Sequence, residues 1–178
     1  MNKPASVQRR SIRLKGYDYT QPGAYFVTML ASGHKCIFGE ILDHEIVLSI
    51  LGKLVEKYWL EIPNHFYNAE VKPFSVMPNH IHGINTLQED DRRGTIYRAP
   101  TEEEFGKPVT GSIPTIIRTY KAAISRQARR ELDMVNIWQR NYYEHTIRND
   151  KEYNDIWEYI AANPLKWIDD QLNPKTTQ

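Results

Sequence analysis

Two histidines one residue apart, His80-Ile81-His82, carry the densest potential chemistry in the chain. On a strand, side-chain alternation puts both imidazoles on one face and Ile81 on the other, with backbones roughly 7 Å apart. From that separation both rings can converge on one divalent ion, although imidazole does not select a particular metal. The triplet reads equally as two surface histidines alternating with a core isoleucine. Two imidazoles rarely complete a ligand set. Tyr159 and Asn163 stand at i and i+4, neighbours on one helix face. Asn163 could supply a carbonyl oxygen, a hard ligand suited to Mg²⁺ or Mn²⁺, with the Tyr159 phenol in reach of the same ion. Alternatively, Tyr159 flanks an Ile156/Ile160 core stripe and Asn163 caps the helix before Pro164. His145 offers a third imidazole, and a His80/His82/His145 site would make water, not tyrosine, the nucleophile.

The elements that must position these residues follow from periodicity. Ala24 to Leu30 is β-branched and aromatic and predicts a strand. Asp43 is expected to cap a helix carrying Ile46, Val47, Ile50, Leu51, Leu54 and Val55. Val71 to Met77 and His80 to Leu87 predict a strand pair turned at Pro78-Asn79. Residues 88–111 form a long polar connection. Ser112 then opens a helix with Pro114 in its first turn and an apolar stripe of Ile113, Ile116, Ile117, Tyr120 and Ile124. A short strand is expected over Tyr142 to Ile147, with its two tyrosines on opposite faces. Asn149 or Asp150 caps a last helix with Tyr153, Ile156, Trp157 and Ile160 inward, stopped by Pro164. The order β-α-β-β-α-β plus a helix predicts an α+β, ferredoxin-like antiparallel sheet with helices on one face and a C-terminal helix bearing Tyr159. Residues 1–22 read as a basic arm, 23–168 as one domain and 169–178 as a flexible tail.

Composition sets the outer bounds. One cysteine, Cys36, excludes an internal disulfide framework and any Cys-rich zinc module. The apolar run near Ala24 is too short to cross a bilayer, and Met1-Asn2-Lys3-Pro4 lacks a secretion signal, so no membrane partner and a cytoplasmic location are expected. A net charge of +1 argues weakly against a generic nucleic-acid coat, and the distribution of charge into local basic patches matters more than the sum. Arg9, Arg10, Arg13 and Lys15 form one; Arg118, Lys121, Arg126, Arg129 and Arg130 form another along the Ser112 helix. Either fits an anion site or a solvated face.

Met77-Pro78-Asn79-His80-Ile81-His82-Gly83-Ile84 resembles the His-hydrophobic-His signature of the HUH single-tyrosine transposases. Trp138-Gln139-Arg140-Asn141-Tyr142-Tyr143-Glu144-His145-Thr146-Ile147-Arg148 and Tyr159 through Trp167 resemble the branch called REP-associated tyrosine transposases. The similarity runs from about Arg9 to Trp167. It implies His80, His82 and Asn163 as ligands of Mg²⁺ or Mn²⁺ and Tyr159 as nucleophile. Mobile relatives usually carry Gln where this chain has Asn163. The resemblance also implies cleavage and rejoining of single-stranded DNA next to hairpins, in a nucleoid-associated bacterial protein. Arg9, Arg10, Arg13, Lys15, Arg118, Lys121, Arg126, Arg129, Arg140 and Arg148 are the candidate DNA contacts. A monomer is expected, with a homodimer as the alternative; an idle hairpin-binding protein of the same fold is the alternative function.

Overall fold

The computed structural model of the protein describes residues 18–89 and 109–174. The basic arm with Arg9, Arg10, Arg13 and Lys15, and most of the polar connection, lie outside the described residues. In chain order the elements are β1 (Gly23–Leu30), β2 (Gly39–Leu42), β3 (Glu45–Leu48), α1 (Ile50–Leu60), α2 (Ile62–His65), β4 (Ala69–Val76) and β5 (His80–Leu87). They continue with α3 (Ile113–Leu132), β6 (Tyr143–Ile147), α4 (Asp150–Ala162) and a 3₁₀ turn over Pro164–Asp169.

One four-stranded antiparallel sheet, in the order β4-β5-β1-β6, carries the molecule. Its alternation sorts side chains onto two faces. Tyr25, Val27 and Met29 of β1 and Ile81 of β5 face a core completed by Val55 and Trp59 of α1 and Ile116, Ile117 and Ile124 of α3. The opposite face carries Phe26, Thr28, His80, His82 and Ile84, and α4 covers it through Ile160 and Ile156. The α+β class and antiparallel sheet agree with the sequence expectation.

Gly83 sits at the midpoint of β5 because Trp59 occupies the space above it: a Cβ there would fall 2.3 Å from Cζ2 of the indole. The edge strand β4 is interrupted between Val71 and Phe74 by a register shift that contains Pro73. The Tyr153 hydroxyl of α4 donates to the adjacent Lys72 carbonyl at 3.2 Å and so ties α4 across that irregular stretch.

Four expectations need correction. No helix starts at Asp43. Asp43 and His44 take positive φ (49° and 67°), residue types tolerant of that region, and form the two-residue turn of the β2–β3 hairpin. The helix begins at Ile50 instead, capped by Ser49, whose Oγ accepts from Gly52 N at 3.0 Å. Trp157 does not face inward; it is 48% exposed, since the inward stripe of α4 runs through Tyr153, Ile156 and Ile160. Nor do residues 169–174 fray. The Leu172 carbonyl accepts from Asn79 Nδ2 in the turn before β5, and Asn173 is buried, its Nδ2 donating to the Trp167 carbonyl. The end of the expected arm is also folded, since Tyr19 is buried and its carbonyl accepts from Ile113 N.

Gly83→Ala must displace the fully buried Trp59 and is expected to cost about 1–3 kcal/mol by overpacking. Urea denaturation would check this; an unchanged midpoint would mean the indole has room to move.

Candidate active site

The first requirement for two buried histidines is a partner for each ring nitrogen that is not to be used in chemistry. His80 is fully buried and His82 is 3% exposed, and their ring centroids lie 4.4 Å apart. Register places Thr28 directly across from His82, and Thr28 Oγ1 lies 2.7 Å from His82 Nδ1. Asn79 serves His80. Its Nδ2 donates to the carbonyls of His34 (3.2 Å) and Leu172 (2.7 Å), which fixes the amide orientation. Its Oδ1 therefore accepts from His80 Nδ1–H at 2.8 Å. The His80 proton sits on Nδ1, so in the neutral ring Nε2 presents a lone pair.

That Nε2 is buried without a hydrogen-bond partner among the described residues. Asp170 Oδ2 lies 3.9 Å from it. One ligand atom from each of His80, His82 and Asp170 falls within 4.8 Å of the others. Burial pushes His82 down to about 3, and burial with the neighbouring His82 and His34 charges holds His80 well below its usual range. Two neutral imidazoles, a carboxylate and an orphaned lone pair fit a divalent cation.

Tyr159 stands at the same point. Its hydroxyl is 3.2 Å from His82 Nε2, and its ring meets Phe26 edge-on at 6.2 Å while Phe26 stacks on His82 at 5.4 Å. The residue is 42% exposed. Burial raises its pKa, Asn163 beside it opposes that shift, and the Asp170 charge adds to it. Asn163 is 2% exposed, and its Nδ2 makes no hydrogen bond of ordinary geometry among the described residues. A cavity of about 650 Å³ opens over these groups, with Lys166 and Tyr143 on its wall.

Of the residues singled out in the sequence, the fold brings His80, His82, Tyr159 and Asn163 together. His145 stays apart: its Nε2 lies 2.6 Å from Glu152 Oε1, so the three-histidine hydrolase site does not form. Arg118, Arg126 and Arg129 are exposed on α3, across the sheet from Tyr159. Lys121 is not a free phosphate contact. Its Nζ donates to the carbonyls of Gln139 (3.0 Å) and Asn141 (2.6 Å), and burial lowers it to about 8. Arg140 and Arg148 are exposed on either side of β6. Sequence reasoning missed Asp170, Thr28 and the double role of Asn79. The position of Asn79 next to His80 was a signal for the last; Asp170 had none, lying 90 residues away in a polar tail.

Linkage gives this arrangement a pH signature. Unfolded histidines titrate near 6.5 whereas the native pair does not, so the unfolded state binds more protons below that pH. The contribution is intact above pH 6.5 and is lost as pH falls toward 3. Metal-free protein should lose about 2 kcal/mol through His82 alone between pH 7 and pH 5. Urea titrations in EDTA would measure this, and His82→Gln should flatten the slope. A pH-independent midpoint would contradict neutral burial.

No protein-family model matches the chain. It is 39% identical over 166 residues to an uncharacterized protein of Haemophilus influenzae, covering 92% of each. A second H. influenzae protein, assigned to the REP-associated tyrosine transposases, is 29% identical over 159 residues, 84% of this chain and 74% of that one. The REP-associated tyrosine transposase of Escherichia coli K12 is 30% identical over 101 residues, 56% of this chain and 47% of that one. The solved structure of a REP-associated tyrosine transposase bound to a REP hairpin shares the fold, with a TM-score of 0.58 at 22% identity over 90% of this chain and 73% of that one. No helix among the described residues is long and apolar enough to cross a membrane. With the paired histidines and the tyrosine helix meeting as above, the chain is similar in sequence to REP-associated tyrosine transposases and shares the fold of one of them.

Proposed function

We propose that the protein is a metal-dependent endonuclease and strand transferase of single-stranded DNA, with Tyr159 as its nucleophile. The observation that carries this reading is the 3.2 Å approach of the Tyr159 hydroxyl to His82 Nε2, beside the His80/His82/Asp170 cluster. Tyrosine hydroxyl and ligand set come from one chain, which favours a monomeric active site. The hairpin-bound relative supports a DNA hairpin as the recognition element next to the cleaved strand.

His80, His82 and Asp170 would hold the ion, Mg²⁺ or Mn²⁺, with Asn163 adding its carbonyl oxygen. Bound there, the ion supplies Lewis-acid stabilisation of charge on the scissile phosphate. The chain's own residues do the rest. Asn79 fixes the His80 tautomer and Thr28 occupies His82 Nδ1, so both Nε2 atoms face the site. Phe26 and Ile160 fix the approach of α4. Lys166 adds a cation on the cavity wall for the phosphate. The Tyr159 oxygen attacks phosphorus and gives up its proton; the P–O3′ bond breaks and the leaving 3′-oxygen takes up a proton. A 5′-phosphotyrosine and a free 3′-hydroxyl result. A later 3′-hydroxyl can reverse the exchange without ATP, because the phosphodiester energy is conserved in the covalent link.

Incubation with labelled hairpin-bearing single strands and Mg²⁺ or Mn²⁺ should give a covalent band on a denaturing gel, absent with EDTA and in Tyr159→Phe. Retained DNA binding without any adduct would instead make the protein an idle hairpin-binding module. Mn²⁺ affinity, read by electron paramagnetic resonance, separates the candidate third ligands. His80→Ala and Asp170→Asn should each weaken binding roughly tenfold or more. If Asn163→Ala does so and Asp170→Asn does not, the amide is the third ligand and the carboxylate is not.

A further inference from the structure

A second cavity, of about 630 Å³, lies on the other side of the sheet, between α1–α2 and the middle of α3. Its walls include Tyr58, Ile62 and Phe66, the last two at and just beyond α2. Its rim carries His65 from α2 and Arg126 and Arg130 from α3. The two arginines are one helical turn apart and overhang the same opening. No carboxylate lines the cavity. Arg126 has no ion-pair partner among the described residues, while Arg130 is shared with Gln127 and Glu131. Arg118 and Arg129, eleven residues apart, lie on a neighbouring exposed strip of the same helix and continue the positive surface.

Aromatic walls beneath a paired guanidinium rim match one chemical class in particular. A planar, apolar ring stacks on Tyr58 or Phe66, and an anion attached to it meets Arg126 and Arg130. A purely apolar ligand would leave the rim unused, and inorganic phosphate would leave the walls unused. We infer that this cavity is a docking site for one unpaired nucleotide of a DNA strand, its base against the Tyr58 and Phe66 rings and its phosphate at Arg126 and Arg130. The choice of DNA as carrier rests on the proposed substrate; the pocket and its chemistry do not. The nucleotide held here is distinct from the one at Tyr159, since the sheet separates the two cavities.

The test uses the full chain as Tyr159→Phe in EDTA, so that neither cleavage nor metal is needed. Hairpin oligonucleotides with 5-iodo-deoxyuridine at single unpaired positions are irradiated and the cross-linked peptides mapped. Cross-links to residues 57–67 are expected from at least one position. Arg126→Gln combined with Arg130→Gln should remove them and lower the log–log salt slope of binding by roughly 0.7, the loss of one phosphate contact. Cross-links confined to peptides around Tyr143 and Tyr159, or an unchanged salt slope in the double variant, would overturn the inference. So would protection of the pocket by free deoxythymidine monophosphate with no cross-link from any strand, which would mark a free-nucleotide site. A missing phosphotyrosine adduct with these cross-links intact would defeat the cleavage reading and leave this one standing.

Discussion

Everything at the site depends on burying two imidazoles without charge. A buried histidine ring has two nitrogens to account for, and an unpaired one costs stability unless it has another use. Here the Nδ1 atoms are taken by Thr28 and Asn79, so the two Nε2 atoms are left over and turned toward Tyr159 and Asp170. Position on β5, held on both sides by β1 and β4, gives the histidines a rigid base. Asn79 then joins three pieces of chain at one amide: the segment at His34, the His80 ring and the tail at Leu172.

The helix that brings the tyrosine is held by contacts of a different kind. Asn149 caps it by accepting from Glu152 N, and Glu152 also reaches His145 and the backbone N–H of Arg148. A small apolar cluster of Ile84, Ile147 and Ile160 lies beneath it. These contacts fix α4 against both β5 and β6, so the phenol meets the histidines without help from a second chain.

Much of this was legible in sequence, and the reasons differ by element. The His-x-His strand, the Ser112 and Asn149 caps and the Tyr159/Asn163 spacing are local signals that survive folding. The β2–β3 hairpin was not legible, because Ile46, Val47 and Ile50 mimic a helical stripe when run together with the true helix that starts at Ile50. Trp157 was misplaced because a wide stripe admits one extra position, and only the packing of Tyr153 over Lys72 decides the rotation. Asp170 is the instructive miss. Its place beside His80 Nε2 comes from tertiary contact alone, made by a tail whose composition looks like solvent-facing chain.

The interrupted edge strand has a bearing on assembly. Sheets join side by side when an open strand offers a continuous row of donors and acceptors. At one margin, Pro73 has no N–H to offer and the shift between Val71 and Phe74 breaks the row. At the other margin, β6 is only five residues long, and Asn149 ends it by starting a helix. Among the described residues, neither margin of the four-stranded sheet therefore offers a second strand an uninterrupted ladder longer than five residues.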